Sequence, residues 1–143
     1  MDKVTIVFWS QSGNTESMAN AVAEGVTVAG KEAVVVDVAS ASLDDLKAAK
    51  GFAMGCPAMG AEVLEEGEME PFVCDVEGFA AGKTIALFGS YGWGDGQWMR
   101  DWVDRMTAAG ATVVNGEGVI CQEAPDDAAL DACKDLGKQL AAL

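Results

Sequence analysis

Hydrophobic and polar positions along the chain fall into blocks that predict strands and helices in alternation. Short uninterrupted runs of apolar or β-branched residues are typical of strands buried on both faces of a parallel sheet. Between them, apolar residues recur three and four positions apart, which is typical of helices with one buried face. The five predicted strands are Val4–Trp9, Ala33–Val38, Gly51–Cys56, Lys83–Phe88 and one within Ala111–Cys121.

The helical blocks carry their own start signals and predict an α/β fold. Ser42–Asp45 resembles a capping box, and Pro125-Asp-Asp places a proline and two acids in a first turn. Strands alternating with helices predict a parallel sheet with helices on both faces. The predicted helices are Glu16–Val26, Leu43–Ala49, one around Glu68–Val76, one with the apolar stripe Trp98, Met99, Trp102, Val103 and Met106, and one after Pro125 that buries Leu130, Cys133, Leu136 and Leu140.

Chain length and composition predict one domain. The 143 residues, 50% of them hydrophobic, are enough for a single core over residues 1–143 without disulfides or metals. A buried strand begins almost at Met1 with no basic flank, and no apolar run approaches the length of a bilayer crossing. We therefore expect a cytoplasmic protein without a membrane segment, and we expect it to be a monomer.

The reactive side chains exclude several chemistries. The sequence has no histidine, which argues against most zinc sites, histidine general bases and Ser-His-Asp hydrolysis. Its four cysteines, Cys56, Cys74, Cys121 and Cys133, have no Cys-x-x-Cys spacing. We interpret them as small core residues kept as thiols, and a redox-active thiol pair is the less favoured alternative.

The formal net charge of −14 limits the choice of partner. Nucleic acids and anionic membranes both require a basic surface, so neither is expected to bind. Seven acids and no base lie between Glu62 and Glu77. They allow a partner with a basic docking face, reached by electrostatic steering. Solubility alone is the other interpretation of this charge.

The turn after the first strand, Ser10-Gln-Ser-Gly-Asn-Thr15, predicts an anion site. It joins a buried strand to a helix N-terminus, where backbone N–H groups are unpaired and the helix dipole favours negative charge. The turn has no Lys or Arg and no Walker sequence, so a phosphomonoester fits it better than a nucleoside triphosphate. An ordinary capped turn is the alternative, since Ser, Thr and Asn are common capping residues.

Two further loops follow predicted strands, Pro57–Glu62 and Gly89–Gly96. In parallel sheets, ligands bind beyond the carboxyl ends of the strands. The second of these loops sets Tyr91 and Trp93 among four glycines, where an aromatic ring is well placed to stack on a flat ligand. A phosphate site next to a stacking platform predicts flavin mononucleotide (FMN).

The three loop sequences carry a resemblance to a known family. Ser-Gln-Ser-Gly-Asn-Thr, Gly-Cys-Pro-Ala-Met-Gly and Gly-Ser-Tyr-Gly-Trp-Gly-Asp-Gly resemble the phosphate loop and the two ring-binding loops of the flavodoxins. The resemblance covers the whole chain, and the uninterrupted fifth strand resembles the short-chain group. It implies a three-layer sandwich with five parallel strands in the order 2-1-3-4-5 and noncovalently bound FMN.

The resemblance also implies roles for individual residues. Met59 would cover the inner face of the flavin ring and Trp93 the outer face. The Gly60 carbonyl would accept a hydrogen bond from the reduced ring at N5, and Glu62 would accept one from N3–H. The implied FMN contacts are Ser10, Gln11, Ser12, Gly13, Asn14 and Thr15 at the phosphate, and Pro57, Ala58, Met59, Gly60, Ala61, Glu62, Gly89, Ser90, Tyr91, Gly92, Trp93 and Gly94 elsewhere.

The expected function is electron transfer, without catalysis of a separate reaction. The site loops hold no Lys or Arg, so nearby acids and the phosphate would oppose negative charge on a fully reduced ring. We therefore expect a low-potential one-electron carrier that cycles mainly between neutral semiquinone and anionic hydroquinone. Its expected partners are redox proteins with a basic docking face, either reductases or low-potential oxidoreductases. The alternative is an NAD(P)H-dependent flavin or quinone reductase, which usually needs a basic contact for the dinucleotide phosphates.

Overall fold

A parallel sheet between two layers of helices forms the protein. The structure, a computed structural model, describes residues 2–143. Its strands are β1 (Lys3–Phe8), β2 (Glu32–Asp37), β3 (Gly51–Gly55), β4 (Thr84–Tyr91), β5 (Thr112–Val113) and β6 (Val119–Gln122). Its α-helices are α1 (Asn14–Val28), α2 (Leu43–Ala48), α3 (Met69–Glu77), α4 (Gln97–Ala108) and α5 (Asp127–Ala141).

The strand order is β2-β1-β3-β4-β5, and all the pairings along it are parallel. This confirms the predicted α/β class and the 2-1-3-4-5 order. The capping box is present in part, because Ser42 Oγ accepts a hydrogen bond from the Asp45 N–H at the start of α2. Among the described helices, none is long and apolar enough to cross a bilayer.

Side chains that alternate along the central strands build a separate core on each face of the sheet. On one face, Val7, Phe52 and Leu87 pack with α2, α3 and α4. On the other, Ile6 and Phe88 pack with α1 and α5. Because both faces are covered, the central strands need apolar residues at nearly every position, which is the pattern that the sequence shows.

Two glycines allow α1 and α5 to pack closely. A Cβ at Gly25 would overlap the backbone carbonyl oxygen of Lys134, and a Cβ at Gly137 would overlap that of Val22. Each helix therefore presents its glycine to the backbone of the other. This contact fixes α1, whose N-terminus follows the predicted phosphate turn.

The predicted fifth strand is divided in two. Asn115 and Gly116 both adopt positive φ angles, 62° and 73°, and they interrupt the extended chain between β5 and β6. Asn and Gly are the residues that enter this left-handed region most readily. The prediction of one continuous strand is therefore wrong in this detail, and the sheet order is unaffected.

The fourth strand is longer than predicted. The sequence interpretation ended it at Phe88 and placed Gly89, Ser90 and Tyr91 in a loop, whereas β4 continues through Tyr91. The reason is that β6 pairs with β4 from Phe88 to Tyr91 and provides hydrogen-bond partners beyond the reach of β5. The loop after β4 therefore consists of residues 92–96 only.

The cysteines differ in burial more than predicted. Cys56 and Cys133 are buried thiols, and burial raises the pKa of each to about 12. Cys121 is half-buried, and burial raises its pKa to about 11. Cys74, however, lies on the exposed side of α3, so the assignment of all four to the core is wrong for this residue.

Candidate functional site

Ser90 joins the three segments that were predicted to form the site. Its backbone carbonyl oxygen accepts a hydrogen bond from Ala58 N–H at 3.0 Å, at the start of the loop after β3. Its hydroxyl lies 3.3 Å from Thr15 Oγ1 in the first turn of α1, and its N–H donates to the same oxygen at 3.4 Å. Thr15 and Ser90 are both buried. The structure thus brings the predicted phosphate turn, the second loop and the end of β4 together at the carboxyl edge of the sheet.

Hydrogen bonds to Ser10 fix the conformation of the turn before α1. Ser10 Oγ accepts from Gly13 N–H at 3.1 Å and from Glu16 N–H at 3.4 Å. Gly13, with φ 92°, is the residue that precedes the helix, and its conformation directs the chain into α1. Ser10 therefore shapes the turn as well as lining it.

The remaining donors of this turn are available to a ligand. Hydrogen bonds within residues 2–143 engage the N–H groups of Gly13, Glu16 and Ser17. Those of Gln11, Ser12, Asn14 and Thr15 find no acceptor in the described part of the chain. Together with the dipole of α1, a set of neutral donors of this kind is suited to an anion.

The loop after β3 forms a tight turn between residues 59 and 63, called here the 59–63 turn. Met59 and Val63 exchange two backbone hydrogen bonds, of 2.8 and 2.9 Å, and form an isolated antiparallel bridge. Gly60 and Glu62 inside the turn have positive φ angles of 50° and 57°. A side chain at Gly60 would meet no atom within 4 Å, so this peptide is free of steric contact on that side.

Glu62 reaches across to the loop between residues 92 and 96, called here the 92–96 loop. Its Oε1 accepts from Asp95 N–H at 2.9 Å, and its Oε2 accepts from Gln97 N–H at 3.1 Å. The residue that precedes α4 is Gly96, which has no side chain with which to cap the helix. The carboxylate of Glu62 therefore supplies the missing cap, a contact that the sequence analysis did not predict.

The two aromatic residues of the third segment have different environments. Trp93 is 64% exposed, as expected for a residue that would stack on a ligand. Tyr91 ends β4 and packs against Trp98 with a centroid distance of 5.6 Å. Tyr91 is thus a border residue of the core, and Trp93 alone is the candidate for the outer ring face.

Comparison with known proteins decides the family. The family model described as Flavodoxin matches residues 6–137. The chain belongs to the flavodoxin family. It is 46% identical to flavodoxin from Clostridium beijerinckii over 136 residues, which cover 95% of this chain and 97% of that one. The corresponding values for Megasphaera elsdenii flavodoxin are 44% over 138 residues, with coverage of 96% and 98%.

A solved structure agrees with this assignment. The solution structure of two-electron reduced Megasphaera elsdenii flavodoxin superposes with a TM-score of 0.87 at 42% identity, and the match covers 98% of this chain and 99% of the other. The chain therefore belongs with the short-chain flavodoxins. These are flavin-based electron carriers that act with redox partners, so the chain is an electron-transfer protein, and the reductase alternative is not supported.

The structure adds residues to this flavodoxin site that the sequence analysis missed. Gln122 Nε2 donates to the Gly92 carbonyl at 3.3 Å, and Glu123 N–H donates to the Tyr91 carbonyl at 2.8 Å, so the end of β6 braces the 92–96 loop. Arg100 forms an ion pair with Asp95 at 2.9 Å. The loops themselves lack a base, but α4 brings one next to them. One sequence signal for these contacts was available: Gly96, before α4, has no side chain to cap the helix, so hydrogen-bond acceptors from another segment are needed there.

The acids of the Glu62–Glu77 segment do not all serve the same purpose. Glu65 accepts hydrogen bonds from three backbone N–H groups at the start of α3. Burial raises the pKa of Glu65, but these three bonds outweigh it and hold the pKa below its usual range. Glu70 and Glu77 both bind Arg105 at 2.8 Å. Glu66 and Glu68 are exposed and are free to face a partner.

Basic residues lie mainly at the opposite edge of the sheet from the site. Each of the first four strands has a lysine at its first residue or immediately before it: Lys3, Lys31, Lys50 and Lys83. Because the strands are parallel, these lysines share the amino edge. The flavodoxin site and its acids share the carboxyl edge.

A groove of about 980 Å³ lies away from this site, between α4, β6 and α5. Residues such as Met99, Val103 and Ile120 line it, and none of the predicted FMN contacts does. We place the site at the strand ends because ligand-facing donors and an exposed aromatic residue converge there.

Proposed function

We propose that residues 1–143 act as one FMN-binding domain that carries single electrons at low potential in the cytoplasm. The observation that carries the proposal is the turn before α1, where the N–H groups of Gln11, Ser12, Asn14 and Thr15 are unpaired and which lies at the same sheet edge as the exposed Trp93. A phosphate site and a stacking platform at one edge match the two ends of FMN. Riboflavin lacks the phosphate, and a dinucleotide would need room beyond it.

The chemistry of the donor set fits a phosphomonoester. The turn offers backbone N–H groups and the hydroxyls of Ser10, Ser12 and Thr15, and none of its residues is basic. Hydrogen bonds from neutral donors to an anion are strong when they are charge-assisted, so several of them replace a cation. Met59 and Trp93 would enclose the ring, and Gly60 and Glu62 would present acceptors to its edge.

The bound flavin would supply one-electron chemistry, cycling mainly between neutral semiquinone and anionic hydroquinone. The residues around the ring control which of these forms is stabilised. The Gly60 peptide lies in an exposed turn and has steric freedom on one side, so its carbonyl can turn toward a protonated N5. Such a contact would favour uptake of the first electron together with a proton.

Charge near the ring opposes uptake of the second electron. Glu62 and Asp95 lie at the proposed ring-binding loops. Arg100 is already paired with Asp95, and Arg105 is paired with Glu70 and Glu77. Without an unpaired cation, extra negative charge on the ring meets acidic surroundings. The second reduction step is therefore expected at low potential.

The charge distribution supports one docking orientation. A partner with a basic face is attracted to the carboxyl edge, where Glu66 and Glu68 are exposed. The lysines of the amino edge repel the same partner. The exposed Trp93 lies at the attractive edge, so electrostatic steering would bring the redox centre toward the partner. The protein is proposed to act in this way as a monomer.

Anaerobic reduction of the purified, FMN-loaded protein tests this function. We expect a yellow protein that accumulates a stable one-electron-reduced form near half reduction and completes reduction at a clearly lower potential. Addition of NADPH in place of the reductant should leave the spectrum unchanged. Equal affinity for riboflavin and FMN, or reduction in a single two-electron step, would overturn the proposal.

A further inference from the structure

We propose that Glu62 is a positioning residue whose carboxylate clamps the 59–63 turn to the 92–96 loop, and so fixes the spacing between Met59 and Trp93. The inference rests on the proposed function, because these two residues are the proposed walls of the ring site. It differs from the expected contact between Glu62 and flavin N3–H, which concerns the ligand. The clamp is a contact between two segments of the protein.

The clamp is built from charge-assisted hydrogen bonds. Both oxygens of Glu62 accept from backbone N–H groups, those of Asp95 and Gln97, at 2.9 and 3.1 Å. These donors belong to the N-terminus of α4, where the helix dipole adds attraction for a negative charge. The single side chain of Glu62 thus binds two backbone groups that lie 33 and 35 positions later in the chain.

Gly94 provides a second, independent sign of the clamp. A Cβ at this position would overlap Oε1 of Glu62, so the carboxylate lies directly against the backbone of the 92–96 loop. Gly94 also has a φ of 89°, which disfavours any side chain. The loop is therefore shaped to receive the carboxylate.

The clamp limits where the 59–63 turn can move. The two ends of the turn are joined by the backbone hydrogen bonds between Met59 and Val63, and the side chain of Glu62 is bound to the 92–96 loop. Gly60 and Ala61 between them are exposed. A peptide rotation during the redox cycle is thereby confined to these two residues, and the two walls of the site keep their separation.

The clamp and a ligand contact do not exclude one another. An ionised carboxylate has about four lone-pair sites, and the two protein bonds use two of them. Glu62 can therefore hold the loop and accept a hydrogen bond from a ring N–H at once. This makes the loop geometry and the ring position depend on the same group.

Two substitutions break the clamp from opposite sides. Glu62→Gln removes the charge and one acceptor, whereas Gly94→Ala displaces the carboxylate while leaving it intact as an acceptor. Gly96→Ala is the matched control: it has the same left-handed strain, with a φ of 92°, but its Cβ faces the end of the Ile120 side chain at 2.9 Å. The double variant of Glu62 and Gly94 completes the set.

Amide hydrogen exchange at Asp95 and Gln97 measures the clamp in the FMN-loaded protein and again after the flavin is removed, with circular dichroism to confirm folding. We expect exchange at these two amides to rise about tenfold in each single variant, the effect of losing roughly 1.4 kcal/mol of local protection. The double variant should show no further rise, and Gly96→Ala should show a smaller one.

Flavin affinity gives the functional readout. Gly94→Ala should weaken FMN and riboflavin by the same factor, about tenfold, because the clamp acts on the ring walls and the phosphate turn is untouched. Unchanged exchange and affinity in Gly94→Ala, or additive effects in the double variant, would overturn the clamp. If Gly94→Ala does not fold, exchange in Glu62→Gln alone decides.

The two proposals fail in different ways. If the clamp is absent while FMN still binds and reduces in two steps, the proposed function stands. If FMN does not bind, exchange at Asp95 and Gln97 in the flavin-free protein still shows whether the clamp exists.

Discussion

Trp98 donates its indole Nε1–H to the backbone carbonyl oxygen of Cys56 at 3.1 Å, inside the core. Trp98 is only 2% exposed, so the bond is shielded from water. It ties α4 to the residue that follows β3, immediately before the loop with Met59. The two segments that are proposed to bind the ring thus start from a shared anchor in the core.

Trp98→Phe should lower the free energy of unfolding by about 1–3 kcal/mol, because it leaves the buried carbonyl of Cys56 without this donor. Denaturant unfolding of the flavin-free protein gives the measurement. Trp93→Phe makes the same chemical change at an exposed site and should stay within about 0.5 kcal/mol of the parent. Equal effects of the two variants would contradict the anchoring role.

Thr15→Val should weaken FMN binding by about 10- to 100-fold and riboflavin binding much less. The substitution removes the hydroxyl next to Ser90, and with it a proposed charge-assisted hydrogen bond to the phosphate worth about 1.5–3 kcal/mol. Thr15→Ser keeps the hydroxyl and serves as the control, with affinity close to that of the parent. Fluorescence quenching during flavin titration measures both. A similar loss for riboflavin would place Thr15 away from the phosphate.

Trp93→Ala should weaken FMN and raise the potential of the second reduction step, since it exposes the ring to water that can solvate negative charge. The fold should be preserved because this side chain is 64% exposed. Spectroelectrochemical titration measures the potential. An unchanged value would mean that Trp93 does not cover the ring.

Glu66→Gln with Glu68→Gln should slow association with a basic redox partner at low salt and matter little at high salt. The control is Asp2→Asn with Glu32→Gln, which removes the same charge at the amino edge of the sheet. Stopped-flow rates at several ionic strengths provide the comparison. If the control pair slows association equally, net charge alone is responsible.

Arg105→Met should lower stability near neutral pH by about 1 kcal/mol, a modest value because the side chains of Arg105, Glu70 and Glu77 are all partly exposed. The hydrogen bond from Arg105 lowers the pKa of Glu70 from its ordinary value of 4.5, although burial opposes the shift. A lowered carboxyl pKa stabilises the fold above the unfolded-state pKa, and this contribution disappears as the pH falls through the folded-state pKa.

The gap in stability between the parent and Arg105→Met should therefore be largest near pH 7 and shrink below pH 4.5. Denaturant unfolding across this range measures it. Arg100→Met breaks a pair whose side chains are 54% and 79% exposed, and is expected to change stability by less than about 0.5 kcal/mol. A gap that widens in acid would have the wrong sign for this ion pair.

The fold class could be predicted from the sequence because strands and helices have signals in short stretches of neighbouring residues. Runs such as Val4–Trp9 and the capping residue Ser42 carry their structure in neighbouring positions. The length of β4 was missed because it depends on β6, a strand some 30 positions later in the chain. The break at Asn115 also has a local sequence signal, an Asn-Gly pair, which is typical of a turn.

The site was predicted as a set of loops, and the contacts between loops were not. The pairing of Thr15 with Ser90 and the cap that Glu62 gives to α4 both span long stretches of chain. Neither contact leaves a periodic signal. The acidic segment shows the same limit, since its composition does not reveal that Glu65 and Glu70 are engaged in structure while Glu66 is free.

The overlap between Gly94 and the Glu62 carboxylate has a consequence for how such a protein can change over generations. While the carboxylate lies against the loop, a side chain at position 94 has no room, so a substitution there breaks the contact. Loss of the carboxylate at position 62 removes this overlap and leaves only the left-handed φ of 89° to disfavour a side chain at 94. The two positions are therefore expected to be inherited as a pair, with drift at 94 beginning only in lineages that have first abandoned the acid at 62.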